Sequence, residues 1–516
     1  MLIAPFLGAI LQVLLPGGSG GSGGPGGRGN GKPRPVARLI ALVASLFSGF
    51  CGVVLVFSMQ TRIADLQMAE SHPWVGSYAI QYALGLDGLN APLVLLLSIL
   101  FPILIATEWN RPSGTRGVHG LFLTLQTALL GAVCAQDIFL QFFFWTLSSL
   151  PFYFLIGVWG GKKKESAAFR LFVTSAIGNA LLLAALVLIY YSVEPHSFLI
   201  QDLAGGKLIG KTFEVFGNEL SVPVVAFLLV AVGLMLRVPV WPLQGWFTLV
   251  SEEAPLTVLV ALAAMTVPVG AYVFERLGYS LFPATFLRFA PAIVVVGAVN
   301  LVLGSICAVA QRDLRTLLAY LCVVQVGMVL MGVGSLSSAG TVGAVYFQLA
   351  GGLGLAGFGI FSNLLLDRTG RSWFFDENGA RSMGGIALEA PAVATVAGLV
   401  VASLLGIPGL GGFVGSSLIV VGSYSVSPAM VILACAATLL SGYYLLSMYQ
   451  NVFLGEAKSG AHGSGGGPDG AFRDLTLRER AYLLPLVASL LFFGLYPKPL
   501  IELVRPTVLT LLSTIK

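Results

Sequence analysis

From Pro391 to Gly455 the chain carries no charged residue and no histidine, and Gly-Ile-Pro-Gly-Leu-Gly-Gly-Phe-Val-Gly (Gly406 to Gly415) occupies its middle. One bilayer crossing takes about 20 apolar residues, so this stretch suits two. Pro408 and the surrounding glycines break a helix near mid-bilayer depth. Irregular backbone is tolerated there only where protein or a water-filled cavity covers it. Such interruptions mark ion and substrate pathways in transporters. The pattern predicts a polytopic membrane protein with a transport-type core.

Composition agrees with that solvent. The chain of 516 residues is 56% hydrophobic and 10% charged, with a mean hydropathy of +0.90, whereas soluble domains carry about 25% charged residues. The net charge of +5 is assigned to basic loops. No basic run is interleaved with aromatics, so no nucleic-acid partner is expected. Cys51, Cys134, Cys307, Cys322 and Cys435 lie singly in apolar stretches and read as small hydrophobes. His72, His119, His196 and His462 fall in or near loops. No zinc, haem or iron–sulfur site can be drawn from these residues, so we expect no metal site, cofactor or catalytic residue on this chain. Met1 to Pro16 is apolar without a basic start and reads as a retained span or half-span rather than a secretory signal.

Charge-free apolar runs place about 14 spans. Their cores are 1–15, 36–58, 88–107, 117–135, 137–159, 166–193, 219–250 (interrupted), 254–275, 287–310, 313–334, 341–366, 391–424 (interrupted), 428–454 and 480–514, the last with a break near Pro497 and Pro499. Loop charges test the count. Arg28, Lys32, Arg34 and Arg38, then Arg111 and Arg116, then Lys162, Lys163, Lys164 and Arg170 follow alternate spans. So do Arg312 and Arg315, then Arg368, Arg371 and Arg381, then Lys458, Arg473, Arg478 and Arg480. All fall on one side, which the positive-inside rule makes cytoplasmic, with both termini on the other. Gly/Ser-rich stretches at 17–35 and 460–470 read as flexible linkers.

The two interrupted spans are five spans apart, one breaking around Val238-Pro239-Val240-Trp241-Pro242 and the other at Pro408. They therefore enter the bilayer from opposite sides, as in inverted repeats; two unrelated proline kinks are the alternative. The expected fold is an all-α polytopic membrane protein with two inverted five-helix repeats, each with a broken helix. Its parts are N-terminal helices at 1–116, repeats at 117–278 and 287–455, and a Gly-rich loop with a C-terminal helix at 456–516.

Several segments, in order, resemble the antiporter-like proton-channel subunits of respiratory complex I, subunit M best of all. They are Leu86-Asp87-Gly88-Leu89; Ala135-Gln136-Asp137-Ile138-Phe139-Leu140 with Phe144-Trp145; and Arg237-Val238-Pro239, Pro242, Trp246 and Glu253-Ala254-Pro255. Further along come Gln311-Arg312-Asp313-Leu314-Arg315 with Leu318-Ala319-Tyr320, then Met383-Gly384-Gly385, then Gly406 to Gly415. The resemblance runs from about residue 80 to 455, and each motif is weak alone but specific in sequence. It implies a 14-helix subunit in the membrane arm of a proton-translocating NADH:quinone oxidoreductase, in a bacterial-type inner membrane. Its partners would be other membrane-arm subunits and the lipid bilayer. It also implies a lysine, glutamate and histidine relay along the bilayer midplane, where such groups are costly and kept for function.

That relay is what the sequence lacks. Aligned motif by motif, the family's glutamate after tryptophan falls at Thr146, its lysine before Val-Pro at Arg237, and its histidine after Pro-x at Gln244. The next lysine falls at Pro268, counted back from Tyr272 and Arg276; the two histidines fall at Gln325 and Gly351, and the last glutamate at Ser416. Thr, Ser, Gln, Gly and Pro do not titrate, and Arg stays protonated, whereas a relay needs groups that both gain and release a proton. The expectation is a structural or coupling subunit with weakened or lost proton conduction.

The remaining proton-path or coupling candidates are Arg237, Glu253, Asp313 and Asp137. Arg237, beside the helix break at Pro239 and Pro242, either repels or pairs with charge or caps free carbonyls. Glu253, which matches a family position, flanks a helix near the cytoplasmic face; Asp137 complements a helix dipole. Arg312, Asp313 and Arg315 form a loop-end cluster facing headgroups or a neighbour. Gly352-Leu-Gly354-Leu-Ala-Gly357 fits G-x-G-x-x-G but lies within an apolar span without a preceding strand, so it reads as close helix packing. A multi-subunit cation/proton antiporter of the same fold is the alternative function, and a free-standing permease a third.

Overall fold

A computed structural model describes residues 1–14, 35–110, 117–215, 218–375, 383–455 and 472–515. Most of the expected linkers at 17–35 and 460–470, and the loop charges Arg28, Lys32, Arg34, Arg111, Arg116, Arg381 and Lys458, lie outside the described residues.

The chain is mostly helical. In order come α1 (Ile3–Leu14), α2 (Pro35–Ser58), β1 (Gln67–Val75), β2 (Ile80–Leu86), α3 (Ala91–Thr107), α4 (Val118–Cys134), α5 (Ile138–Leu147), α6 (Ser149–Trp159) and α7 (Lys164–Ser192). Next are α8 (Ile200–Leu203), β3 (Thr212–Val215), β4 (Asn218–Ser221), α9 (Val222–Met235), α10 (Gly245–Glu253), α11 (Leu256–Val260), α12 (Val267–Leu281), α13 (Pro283–Val309) and α14 (Leu314–Gly334). The rest are α15 (Ser338–Thr369), α16 (Ile386–Glu389), α17 (Pro391–Leu404), α18 (Gly411–Tyr424), α19 (Pro428–Phe453), α20 (Leu477–Leu495) and α21 (Lys498–Ile515). Among the described residues, 8 helices are long and apolar enough to cross a membrane, and six shorter apolar helices accompany them. The pair α20 and α21 bends by 69° between them and adds one more if taken as a single span.

Local chemistry sets many ends. Asp137, Asp313 and Ser337 accept backbone N–H groups as N-caps of α5, α14 and α15, and Thr476 with Glu479 forms a capping box on α20. Each satisfies donors that a helix start leaves free. Pro223, Pro283, Pro391 and Pro428 open α9, α13, α17 and α19, where a missing N–H costs nothing.

An all-α reading needs correction. Two antiparallel hairpins, β1–β2 and β3–β4, stand between spans. Short strands outside the apolar spans carry no strong periodicity, so span-finding by hydropathy leaves them as loops.

At the heart of the bundle α11 and α12 join through a π-helical turn, Ala261–Thr266, into one rod that is buried along its length. Pro268 explains the turn: without an N–H it cannot bond to residue 264, and its ring pushes that carbonyl away. The freed region finds other partners, with Cys322 Sγ donating to the Ala263 carbonyl at 3.5 Å. Long α15 packs on α18, α14, α17 and α3 as well as on this rod. Backbones approach closely where glycines face: a Cβ at Gly297 of α13 would lie 2.8 Å from the Gly327 carbonyl of α14, the small-residue packing expected in a membrane.

Loop contacts sort the ends of the spans. Glu253 accepts Gly161 N at 2.8 Å on its carbonyl and Lys163 N at 2.9 Å on its carboxylate. Arg315 donates to the Glu252 carbonyl at 3.1 Å, Phe374 N to Arg312 O at 2.9 Å, and Arg368 pairs with Glu479 at 2.7 Å. Arg478 donates to Ala106 O at 2.8 Å. These contacts link the loops they involve into one basic-loop network.

A candidate proton-path region

Two of the family-relay positions meet at the first helix break. The buried Arg237 follows α9 and donates to the Trp145 carbonyl and to Ser148 Oγ, both at 2.8 Å. Its guanidinium carbon lies 4.0 Å from the centre of the Trp145 ring, a cation–π distance. Thr146, between these two partners, has a buried hydroxyl without a hydrogen-bond partner. Arg237 thus satisfies carbonyl and hydroxyl oxygens beside a break, and among the described residues no carboxylate is one of its hydrogen-bond partners.

The break is held by a residue that the motif reading missed. Asn300 of α13 accepts Trp241 N at 2.8 Å and donates to Pro239 O at 3.3 Å and Val323 O at 2.8 Å. Gln244 stands apart at the start of α10, its Oε1 buried and without a partner.

Three further relay positions, Pro268, Gly351 and Ser416, gather around a fourth, Gln325. Gln325 of α14 donates to the Gly351 carbonyl of α15 at 3.1 Å. A cavity of about 40 Å³ is lined by Gln325, Phe347, Gly406, Gly412, Ser416, Thr438, Ser441 and Tyr444. A second, of about 20 Å³, is lined by Pro268, Cys322, Gln325, Phe347 and Gln348 among others. A water needs roughly 10–15 Å³ by this measure. Gln325 and Phe347 thus stand between two water-sized spaces, and neither lining includes a carboxylate, histidine, lysine or arginine. The arrangement can hold water but supplies no strong acid or base to it.

The other candidates sit at helix ends. Asp137 is buried and accepts Phe139 N, Leu140 N and, across to β2, Gln81 N at 3.0 Å. Asp313 accepts Arg315 N at 2.7 Å and Ser372 Oγ at 2.6 Å. Glu253 ties the α6–α7 loop as described. None of these three lines the two cavities.

Two buried polar groups escaped the sequence reading. Arg276 of α12 pairs with Asp87 and donates to Gln136 Oε1 at 2.5 Å, fastening two motif segments to the rod. Glu275 is fully buried and accepts from Gln348 Nε2. A signal for Glu275 existed: it lies seven residues, two helical turns, after Pro268 and so on the same face.

A profile of the NADH:quinone oxidoreductase/Mrp antiporter transmembrane family matches residues 135–441. The chain belongs to that family. NADH-quinone oxidoreductase subunit M of Mycobacterium tuberculosis is 27% identical over 99% of this chain and 93% of the relative. The Rhodobacter capsulatus subunit M is 28% identical over 92% and 90%. A Nostoc NAD(P)H-quinone oxidoreductase chain 4 is 30% identical over 84% and 78%. In fold, the chain matches one from respiratory complex I of Thermus thermophilus with a TM-score of 0.84 at 23% identity, over 100% and 99% of the two chains. It matches one from the Mrp complex of a Dietzia species with a TM-score of 0.81 at 20% identity, over 100% and 98%. Both matches show that the chain shares its fold with these two chains.

Proposed function

We propose that this chain is a subunit M-like component of the membrane arm of a complex I-type NADH:quinone oxidoreductase. In this reading it crosses the membrane 14 times, with repeats at 117–278 and 287–455 flanked by 1–116 and 456–516, and both termini are non-cytoplasmic. The membrane is a bacterial-type inner membrane, and redox centres reside on other subunits. The chain serves architecture and coupling, while the family relay through it is weakened or lost.

One observation carries the reading: Gln325, bonded to Gly351, lines one small cavity with Pro268 and another with Ser416, and neither lining holds a carboxylate, histidine or lysine. A partner subunit is supported separately. Trp241 and Ile407, at the two breaks, are each 45% exposed, and Pro242 and Pro408 beside them are exposed too. Irregular backbone at membrane depth requires a protein or water cover, and neighbouring membrane subunits would supply it.

Mass spectrometry of what co-purifies from gently solubilised native membranes tests the assignment. Peripheral flavin and iron–sulfur subunits are expected. Recovery of small antiporter-type membrane subunits alone would replace it with the second reading, a cation/proton antiporter subunit, which the likeness to the Mrp chain favours. Proton stoichiometry per electron pair tests the weakened relay. A Q325L/S416A chain that still assembles is expected to leave it unchanged, and a collapse of the stoichiometry in that assembled complex would overturn the proposal.

A further inference from the structure

Glu275 of α12 and Gln348 of α15 are buried, at 0% and 3% exposure. Gln348 Nε2 donates to Glu275 Oε1. The two atoms left over, Glu275 Oε2 and Gln348 Oε1, are both buried and both lack a hydrogen-bond partner. Native proteins leave few such atoms, and here two occur in one pair.

The donor count shows what is missing. An ionised carboxylate only accepts, and an amide oxygen only accepts. Turning the amide over does not help, because its oxygen then faces a carboxylate oxygen instead. A protonated carboxyl carries one O–H donor. Placed on Oε2, that single proton can donate to Gln348 Oε1 and serve both unpartnered atoms, completing a two-bond acid–amide pair.

Among the described residues, no cation takes the proton's place. Arg276, the next residue, is held by Asp87 and Gln136. On α12, Tyr272 donates to the Val133 carbonyl of α4 at 3.0 Å and Tyr279 to the Val333 carbonyl of α14 at 2.7 Å. From α14, Cys322 donates to Ala263 O; Tyr346 of α15 donates to Phe493 O. Arg315, Asp367 and Arg368 of α14 and α15 lie at the ends that join the basic-loop network. His119 of α4 is about 21 Å along its helix from Val133 at 1.5 Å per residue. Helix α9 has no charged residue, and Asp202, Arg288, Lys498, Glu502 and Arg505 of α8, α13 and α21 are exposed.

We propose that Glu275 is a proton-binding site of this chain, holding one exchangeable proton shared with Gln348. The proton comes from hydronium and returns to water: carboxylate plus hydronium gives carboxylic acid plus water, and the reverse releases it. Gln348 lines the 20 Å³ cavity that Pro268 and Gln325 also line, and Gln325 in turn lines the 40 Å³ cavity with Ser416 and Tyr444. The site is therefore next to the space that the lost relay vacated, two turns along α12 from Pro268. It goes beyond the proposed function, since it stands on the donor count of one pair and not on the assembly to which the chain belongs.

Infrared difference spectroscopy of the full chain in lipid, in H₂O and in D₂O near neutral pH, reads that proton. The wild type is expected to show a carboxylic-acid carbonyl band that moves on deuteration, disappears in E275Q and shifts in Q348L. Identical spectra for wild type and E275Q in this region would overturn the proposal. E275Q is expected to fold, because its amide N–H₂ supplies the donor that the proton otherwise supplies. If E275Q fails to accumulate, Q348L decides: an unmoved band assigns the acid elsewhere and also overturns the proposal. These spectra do not depend on partner subunits or conduction, so failure here leaves the functional assignment standing, and the converse.

Discussion

The Arg237 guanidinium stacks on the Trp145 ring at 4.0 Å and donates to the carbonyl of that same residue at 2.8 Å. One side chain thus clamps both the ring and the backbone of α5 to the end of α9. With Ser148 Oγ as third partner, both terminal nitrogens of the guanidinium are engaged, and lysine cannot reproduce that fork. Arg237→Lys is expected to lower stability by about 1–3 kcal/mol through the lost bond and stack, seen as a lower unfolding temperature in detergent. Since Thr146 cannot titrate, the lysine alone is expected to restore no proton conduction in reconstituted vesicles.

Arg276 and Asp87 make a buried pair that joins the central rod to the turn before α3. Asp87→Ala leaves a buried cation unpaired and is expected to cost about 3–5 kcal/mol. Replacing both, as D87L/R276M, is expected to be milder than either single change. A double-mutant cycle on thermal unfolding checks this, and simple additivity would show that the pair does not act as a unit.

Gly422 of α18 and Gly442 of α19 offer a matched contrast. A Cβ at Gly422 would lie 2.1 Å from the backbone nitrogen of Gly340, whereas at Gly442 it would meet nothing within 4 Å. Gly422→Ala is expected to force α18 from α15 and cost about 1–3 kcal/mol or more, as overpacking does. Gly442→Ala is expected to stabilise by up to about 1 kcal/mol through helix propensity. Unfolding temperatures of the two variants provide the comparison.

Gln325 and Gly351 are coupled by contact. A Cβ at Gly351 would sit 2.7 Å from Gln325 Oε1, so returning the family's histidine to position 351 collides with the glutamine that replaced its neighbour. Gly351→His alone is expected to destabilise, and G351H/Q325A to recover about 0.5–3 kcal/mol of that loss, the range for residues in contact. Stability of the four members of the cycle measures it.

Much of this protein was legible without coordinates. Bilayer thickness and the 3.6-residue period act locally, so hydropathy alone located apolar helices from Pro35–Ser58 to Pro428–Phe453. Proline and glycine chemistry is equally local, which is why breaks near Pro239 and Pro408, and the bend at Pro497, could be read from residue types. Dipole reasoning put Asp137 at a helix start, whereas Asp313, read as part of a loop-end cluster, proved to be an N-cap of α14.

Tertiary structure decided what those residues touch. Arg237 reaches Trp145 across 92 positions of chain, Asn300 caps Trp241 across 59, Arg276 meets Asp87 across 189, and Glu275 meets Gln348 across 73. No periodicity encodes such partners, because inside a bilayer the hydrophobic effect does not choose which helix faces fit together. Close packing and hydrogen-bond satisfaction choose them, and both exist only once the helices have met. Motif alignment put non-titrating residues at the family's relay positions; only the folded bundle showed the two small cavities that some of them line and the buried acid nearby.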